Sequence, residues 1–348
     1  MVHGGDAPTG LSHPASGTAV QQGFFNEAKG AGIKGTWTLA RHLTVIEMMY
    51  LGFFALPLVT ALIPGLRTTL RFASPRGWIA FCCCEAILAI GLTFYAVVGG
   101  RWPYVPQFMG AGGLGPPDVL GAGHRVFRDS FFFWATVIVA GSAVLLALVL
   151  CRGIGSGSSP ERSGAAMIAA IGFWQALGIL PPSFHYLARG YSLDRYLLPL
   201  LPLGICLLLW ATRDLRMFQP LGWAIAAVFL IFGVVAARDY FVYLDSVWSL
   251  AAEANAAGVA DTHLDAGAAW DGYHLYTYAL DRDIYWAATP QGPWWMTFYG
   301  LASDSSYVVS STRQPGYAMV WERDYSAWLS RDTLHLYLLR KTSVSGPP

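Results

Sequence analysis

The sequence predicts a mainly α-helical polytopic membrane protein of about six transmembrane helices, with a small C-terminal extracytoplasmic α/β domain. Three observations lead there. Hydrophobic residues make up 55% of the 348 and charged residues only 12%, a balance foreign to soluble chains. Between Leu43 and Ala237 the apolar residues gather into six runs, separated by short basic or Gly/Pro-rich connections. Beyond Ala237 the composition reverses. Residues 245–348 hold 11 of the 21 acidic residues but 6 of the 22 basic ones, a net charge of −5, together with seven of the 14 tryptophans.

Residues 1–42 are rich in Gly, Ala and Ser without periodicity, which reads as a disordered or truncated N-terminal segment. The transmembrane domain is expected over 43–244, its runs near 43–66, 77–99, 131–151, 164–181, 197–212 and 220–237. About 20 residues cross a bilayer core of roughly 30 Å, a length the first three runs meet. The fifth is short and contains Pro199 and Pro202, so it is expected to bend and pack inside the bundle. Arg67, Arg71, Arg76, Arg152, Arg162, Arg213 and Arg216 crowd three short loops, 67–76, 152–163 and 213–219. The positive-inside rule places those loops in the cytoplasm, and both termini and the longer loops 100–130 and 182–194 outside. Residues 1–42 offer no signal sequence. Either the first span inserts head-first or upstream spans have been lost, and the second reading is preferred.

Loop 100–130 contains Trp102-Pro103-Tyr104-Val105-Pro106, Gly110 to Gly115, and Pro116-Pro117-Asp118. Such punctuation forbids a long helix and predicts an ordered outer loop. Cys82, Cys83, Cys84, Cys151 and Cys206 all lie in or at the ends of apolar runs, where cysteine serves as a small hydrophobe. Glu85 is the one carboxylate well inside a run. It lies about 12 Å from the cytoplasmic end at 1.5 Å per residue, and a helix-to-helix hydrogen bond is its expected role. Gln175 reads the same way.

Residues 245–348 are long enough for one small α/β domain. A helix is expected over Ser246–Ala257, ended near Gly258, with strands at Thr262–Asp265, Tyr307–Ser311, Tyr317–Arg323 and Leu334–Arg340. In the last, Leu334, Leu336 and Leu338 alternate at period two, as in a half-buried strand. Asp265 and Asp271 stand six apart around Trp270. They are either a carboxylate pair or turn residues that cap a strand and a helix. Tyr273, Tyr276, Tyr278, Trp286, Trp294 and Trp295 either stack on sugar rings or build the domain core. His263, His274 and His335 lack ligand spacing, and no metal site is expected.

The stretch with most chemical content is 182–203, where His185, Arg189, Asp194 and Arg195 run directly into an apolar helix. Arginine and tyrosine at such a junction anchor a helix at the interface. Guanidinium groups there also suit a lipid phosphate, which they bind through bidentate charge-assisted bonds. Arg101, Arg125 and Arg128 lie on the same predicted face and add to its positive charge.

Arg195-Tyr196-Leu197-Leu198-Pro199 resembles a signature of the C-type glycosyltransferase superfamily. These polytopic enzymes move a sugar from a polyprenyl-phosphate carrier and include bacterial relatives of protein O-mannosyltransferase and of the lipid A aminoarabinose transferase. Gly113-Leu114-Gly115-Pro116 is similar to a loop motif of bacterial members. The segment from Leu264 to Gly272, with Asp265, Trp270 and Asp271, resembles part of their soluble domain. The resemblance covers roughly 43–348 and the C-terminal portion of such an enzyme. It implies a bacterial inner membrane, a polyprenyl-phosphate sugar donor, and an envelope glycan, lipid or protein as acceptor, with nucleic acid excluded. It also implies that Arg189, Arg195 and Tyr196 contact the carrier phosphate, with an outer-domain site at Asp265, Trp270 and Asp271. The superfamily's catalytic aspartate lies in the first external loop, where it acts as a base or holds a divalent metal. Here the first external segment offers only Asp6 and Glu27, neither after a span nor paired. No catalytic residue is therefore carried over and no cofactor is expected in this chain. The alternative from another class is a non-catalytic membrane scaffold whose outer domain binds a partner or a glycan.

Overall fold

The computed structural model describes residues 44–65, 75–94, 96–97, 103–104, 119–121, 126–153, 163–172, 200–282, 302–330 and 332–342. Outside them lie Asp6, Glu27, Arg101, Arg125, residues 110–117, Gln175, His185, Arg189, Asp194, Arg195, Tyr196, Trp286, Trp294 and Trp295. The chain divides into two compact units. One takes Met1–Val105 with Phe132–Ile225, the other Pro106–Phe131 with Ala226–Pro348.

In the first unit the elements are apolar helices. Helix α1 spans Thr44–Gly65, its last turn Ile63–Gly65 tightened to 3-10, and α2 spans Pro75–Phe94. Helix α3, Asp129–Gly153, carries Asp129 in its first turn and Arg152 in its last, as the helix dipole favours. Shorter helices α4, Ser163–Gly172, and α5, Leu200–Thr212, follow. Ala55, Val59 and Leu62 of α1, Leu146 and Val149 of α3, and Leu208 of α5 share one buried cluster. Close approach comes from small residues. A Cβ on Gly52 would stand 2.7 Å from the Val139 carbonyl oxygen, and the Ser142 hydroxyl donates to the Gly52 carbonyl at 2.7 Å. Such pairs hold helices together where apolar surroundings give no hydrophobic drive.

Helix α6 runs without interruption from Gln219 to Ala256, 38 residues or about 57 Å. The expected separate helix at 246–257 falls in its C-terminal third, which ends at Ala256. The chain turns into α6 after α5 through Arg213 and Asp214, an ion pair at 3.4 Å, and the Phe218 N–H donates to the Ala61 carbonyl at 2.7 Å. Among the described residues four helices, α1, α2, α3 and α6, are long and apolar enough to cross a membrane. Their large apolar side chains stand bare in broad bands, among them Ile79, Ile90, Trp134, Ile138, Leu230 and Ile231. A bilayer covers such surface and water does not.

The second unit wraps the outer half of α6 with a four-stranded sheet. Strand β1, Leu264–Asp265, is followed by helix α7, Ala268–Asp281, and then by β2, Tyr307–Ser310, β3, Tyr317–Tyr325, and β4, Leu334–Lys341. The order is β1-β2-β4-β3, with β1 parallel to β2 and the other pairs antiparallel. Strands β2, β3 and β4 appear at their expected segments, whereas at 262–265 only Leu264–Asp265 is strand and Asp261–His263 forms a 3-10 turn. Leu336 and Leu338 enter a core with Val247, Leu250, Ala251 and Ala254 of α6, Leu264, Trp270 and Val309. Val308 and Leu339, paired in register, are buried on the opposite face, so these two strands are covered on both sides. Leu120, from the Gly/Pro-rich loop, forms a parallel bridge to Ser310. Its carbonyl accepts from the Ser311 N–H and from the Ser310 hydroxyl, each at 2.8 Å. Gly121 follows at φ +106°, so close to Ser311 and Thr312 that any Cβ would collide.

Candidate functional site

Asp265 ends β1 and Asp271 lies in the first turn of α7, and the two carboxylates meet in the interior at 2% and 1% exposure. Between them the chain turns through Ala266 and Gly267, the latter at φ +88°. The Gly267 N–H donates to Asp265 Oδ1 at 3.1 Å, and the Ala266 N–H to Asp271 Oδ1 at 3.2 Å. Burial, and next the adjacent charge of Asp265, push the Asp271 carboxyl well above the usual carboxylate range. The two aspartates close the strand-to-helix turn, each accepting one of its backbone N–H groups, with no side-chain cap at Gly267. Enclosed as they are, neither reaches a substrate. Trp270, the third outer-domain candidate, is 3% exposed and packs in the core.

Beside this lock lies a more open constellation. The His274 ring stacks on Trp270 at 4.0 Å between centroids, and its Nδ1 lies 3.2 Å from Asp261 Oδ2. Asn255 donates to Asp261 Oδ1 at 2.7 Å. Trp248 meets Trp270 edge-on at 5.1 Å and Tyr273 at 5.7 Å, and Tyr273 itself is mostly exposed. Of the predicted aromatic crowd, Tyr273 and Tyr276 are exposed, Tyr278 packs against Leu275, Ala279 and Ala302, and Trp286, Trp294 and Trp295 lie outside the described residues.

A groove of about 640 Å³ lies between the outer half of α6 and the edge strand β3, lined by Leu250, Glu253, Val320, Trp321, Glu322 and Arg323. Arg323 and Glu253 pair across it. A bulge between Met319 and Trp321 shifts the register and re-aims these side chains. Next to the groove, Glu322 and Asp324 stand two apart on β3 with His335 opposite on β4. His335 Nδ1 is 3.0 Å from Glu322 Oε1 and 2.7 Å from Asp324 Oδ1. Among the described residues this is the one group of three whose ligand atoms converge, all within 4.8 Å, as a divalent cation would need. The three are exposed and His335 already spans both carboxylates, so the arrangement serves equally as an ion-pair cluster. Sequence spacing missed it because the strands bring together residues 11 and 13 apart, at no ligand period.

His263 Nδ1 likewise lies 2.7 Å from Asp304 Oδ2. Burial would raise the Asp304 carboxyl, but the Ser306 hydroxyl and N–H and His263 outweigh it and hold the group below its ordinary value. Inside α2 the expected hydrogen bond of Glu85 is not made by its shielded oxygen, as Glu85 Oε1 has no partner among the described residues.

Compared with family models, with curated proteins and with solved structures, the chain has no significant match. The class that fold and site define is thus a polytopic helical membrane protein with a small α/β unit.

Proposed function

We propose that the protein is a membrane glycosyltransferase, or a portion of one, that transfers a sugar from a polyprenyl-phosphate carrier to an envelope acceptor at the outer face of a bacterial inner membrane. The observation that carries this reading is the groove between α6 and β3. Trp321 presents a ring face suited to a sugar, and Glu253, Glu322 and Arg323 supply hydrogen-bond partners for hydroxyls. The same chain has membrane-length apolar helices from which a lipid-linked donor is reached. The resemblance of residues 195–199 and 264–272 to the C-type superfamily supports the same reading. Arg189, Arg195 and Tyr196 are the proposed contacts of the carrier phosphate, and the density of arginines in the short loops supports an α/β unit outside the cytoplasm.

The test is transfer from a radiolabelled polyprenyl-phosphate sugar by the purified chain in nanodiscs. Arg195→Ala should weaken donor binding about ten- to a hundredfold, the loss of one charge-assisted phosphate contact. Arg216→Ala, in the short loop after α5, should change it far less. Equal effects would reduce Arg195 to a general anchor. Trp321→Ala should raise the acceptor KM without altering donor binding.

A second reading has its own support. Asp265 and Asp271, the one predicted carboxylate pair, are sealed from substrate, which suits a scaffold that binds envelope glycan without turnover. Trp321-dependent glycan binding with no transfer, in any reconstitution, would decide for it.

A further inference from the structure

Helix α6 changes character at Arg238. Before it, Leu230, Ile231 and Val234 are 60–69% exposed, and Phe241 continues their stripe at 68%, as positions 230, 234 and 241 share one helical face. One turn later the face is the exposed Asp245. At this level the β3–β4 loop is fastened to the helix. The Asp239 carboxylate, itself 7% exposed, accepts the Trp328 N–H and the Leu329 N–H, each at 2.8 Å. The neighbouring Arg238 donates to the same carboxylate at 2.8 Å and lies over the Trp328 ring at 4.5 Å. Trp328 is nonetheless 69% exposed.

A large indole is thus held open to the outside by three hydrogen bonds beneath it, at the height where an apolar helix ends. We infer that Trp328, Arg238 and Phe241 form a membrane-docking surface that seats the β3–β4 loop at the headgroup level of the bilayer α6 enters. Continuity with the bare apolar stripe selects the occupant. Arg238 lies about 6 Å above Val234 along the helix at 1.5 Å per residue, the depth step between acyl chains and phosphates. Tryptophan and arginine partition to that layer, the indole with its apolar body inward and the guanidinium toward phosphate. The surface works on either side of the membrane, so it goes beyond the proposed transferase activity and rests only on the membrane placement of α6.

The test uses the full chain in phosphatidylglycerol/phosphatidylcholine nanodiscs, with its native cysteines replaced and one spin label introduced at a time. Ser326→Cys reports the loop, Val234→Cys the apolar helix, and Arg313→Cys the β2–β3 turn as a water reference. Collision with oxygen should exceed collision with a nickel chelate at 234, approach balance at 326, and fall below it at 313. Adding Trp328→Ala to the Ser326→Cys protein should move that label to the value at 313, and Trp328→Phe should leave it near the headgroup level. A water-like reading at 326 beside a buried reading at 234 overturns the docking while α6 still spans. A water-like reading at 234 removes the membrane placement of α6 and the inference with it.

Discussion

The two halves of α6 are one unbroken helix read by two solvents. In its apolar window none of the residues is buried by protein, and Leu230 and Ile231 stand bare. In the half beyond Arg238, Ser246, Val247, Leu250, Ala251 and Ala254 are buried, most of them in the sheet core. The first half is apolar on every side because lipid accepts every side. The second is apolar on a stripe because only one side meets the sheet. What the difference teaches is that burial by protein is the wrong measure of a residue's worth in the first half and the right one in the second.

Replacements should separate the halves. Leu250→Ala leaves a cavity in the sheet core and should cost about 2–5 kcal/mol, seen as an early unfolding step in the far-ultraviolet melt of the detergent-solubilised chain. Ile231→Ala should stay within about 0.5 kcal/mol. Similar losses at both positions would erase the distinction. Asp239→Ala removes the acceptor of two loop N–H groups and of Arg238 and should cost on the order of 1.5–3 kcal/mol, with the β3–β4 amides exchanging fastest.

Glycines sharpen the comparison within the same helix. A Cβ on Gly222 would lie 2.7 Å from the Pro57 carbonyl oxygen, whereas one on Gly233 meets nothing within 4 Å. Gly222→Ala should therefore destabilise by about 1–3 kcal/mol, and Gly233→Ala should be neutral or slightly stabilising in a helix interior. Equal melting temperatures would place α6 elsewhere against α1.

The smallest effect concerns the buried aspartates. Asp271 is raised in the folded state, so its contribution is fully present below the ordinary carboxylate value of about 3.9 and is lost as pH climbs through the raised value. Asp304, held low, has the opposite sign and loses its contribution as pH falls. Asp271→Asn keeps an oxygen for the Ala266 N–H and supplies a permanent N–H toward Asp265. Its melting temperature should be flat where the parent's declines from acid toward neutral pH, and higher at the upper end. A parallel decline in both proteins would remove Asp271 as its source.

What was legible in the sequence follows from the range of the forces involved. Strands β2, β3 and β4 appear within two residues of their alternating segments, because a period-two pattern is written locally in Leu334, Leu336 and Leu338. The continuity of α6 was not legible. Arg238 and Asp239 pair with each other, and a loop almost 90 residues onward adds the Trp328 and Leu329 N–H donors and the Ser326 carbonyl. Four of the six predicted runs are membrane-length helices among the described residues, and the predicted spans at 164–181 and 197–212 extend beyond those residues. Asp265 and Asp271 were marked by spacing, but spacing carries no depth, and depth makes them a lock rather than a reactive pair. The groove was invisible for the same reason. Trp321 and Glu253 are remote in sequence and meet only through the sheet.

Leu120 has a consequence for synthesis. Its carbonyl is taken by Ser310, 190 residues downstream, and helices α3 to α7 must leave the ribosome before that partner exists. At about 5–20 residues per second the delay is on the order of 10–40 s. Through that interval Leu120 is without its bridge partner, open to capture by chaperones or by another nascent chain. Residues 226–348 produced alone would lack this piece and leave the Ser310 and Ser311 donors without their Leu120 acceptor.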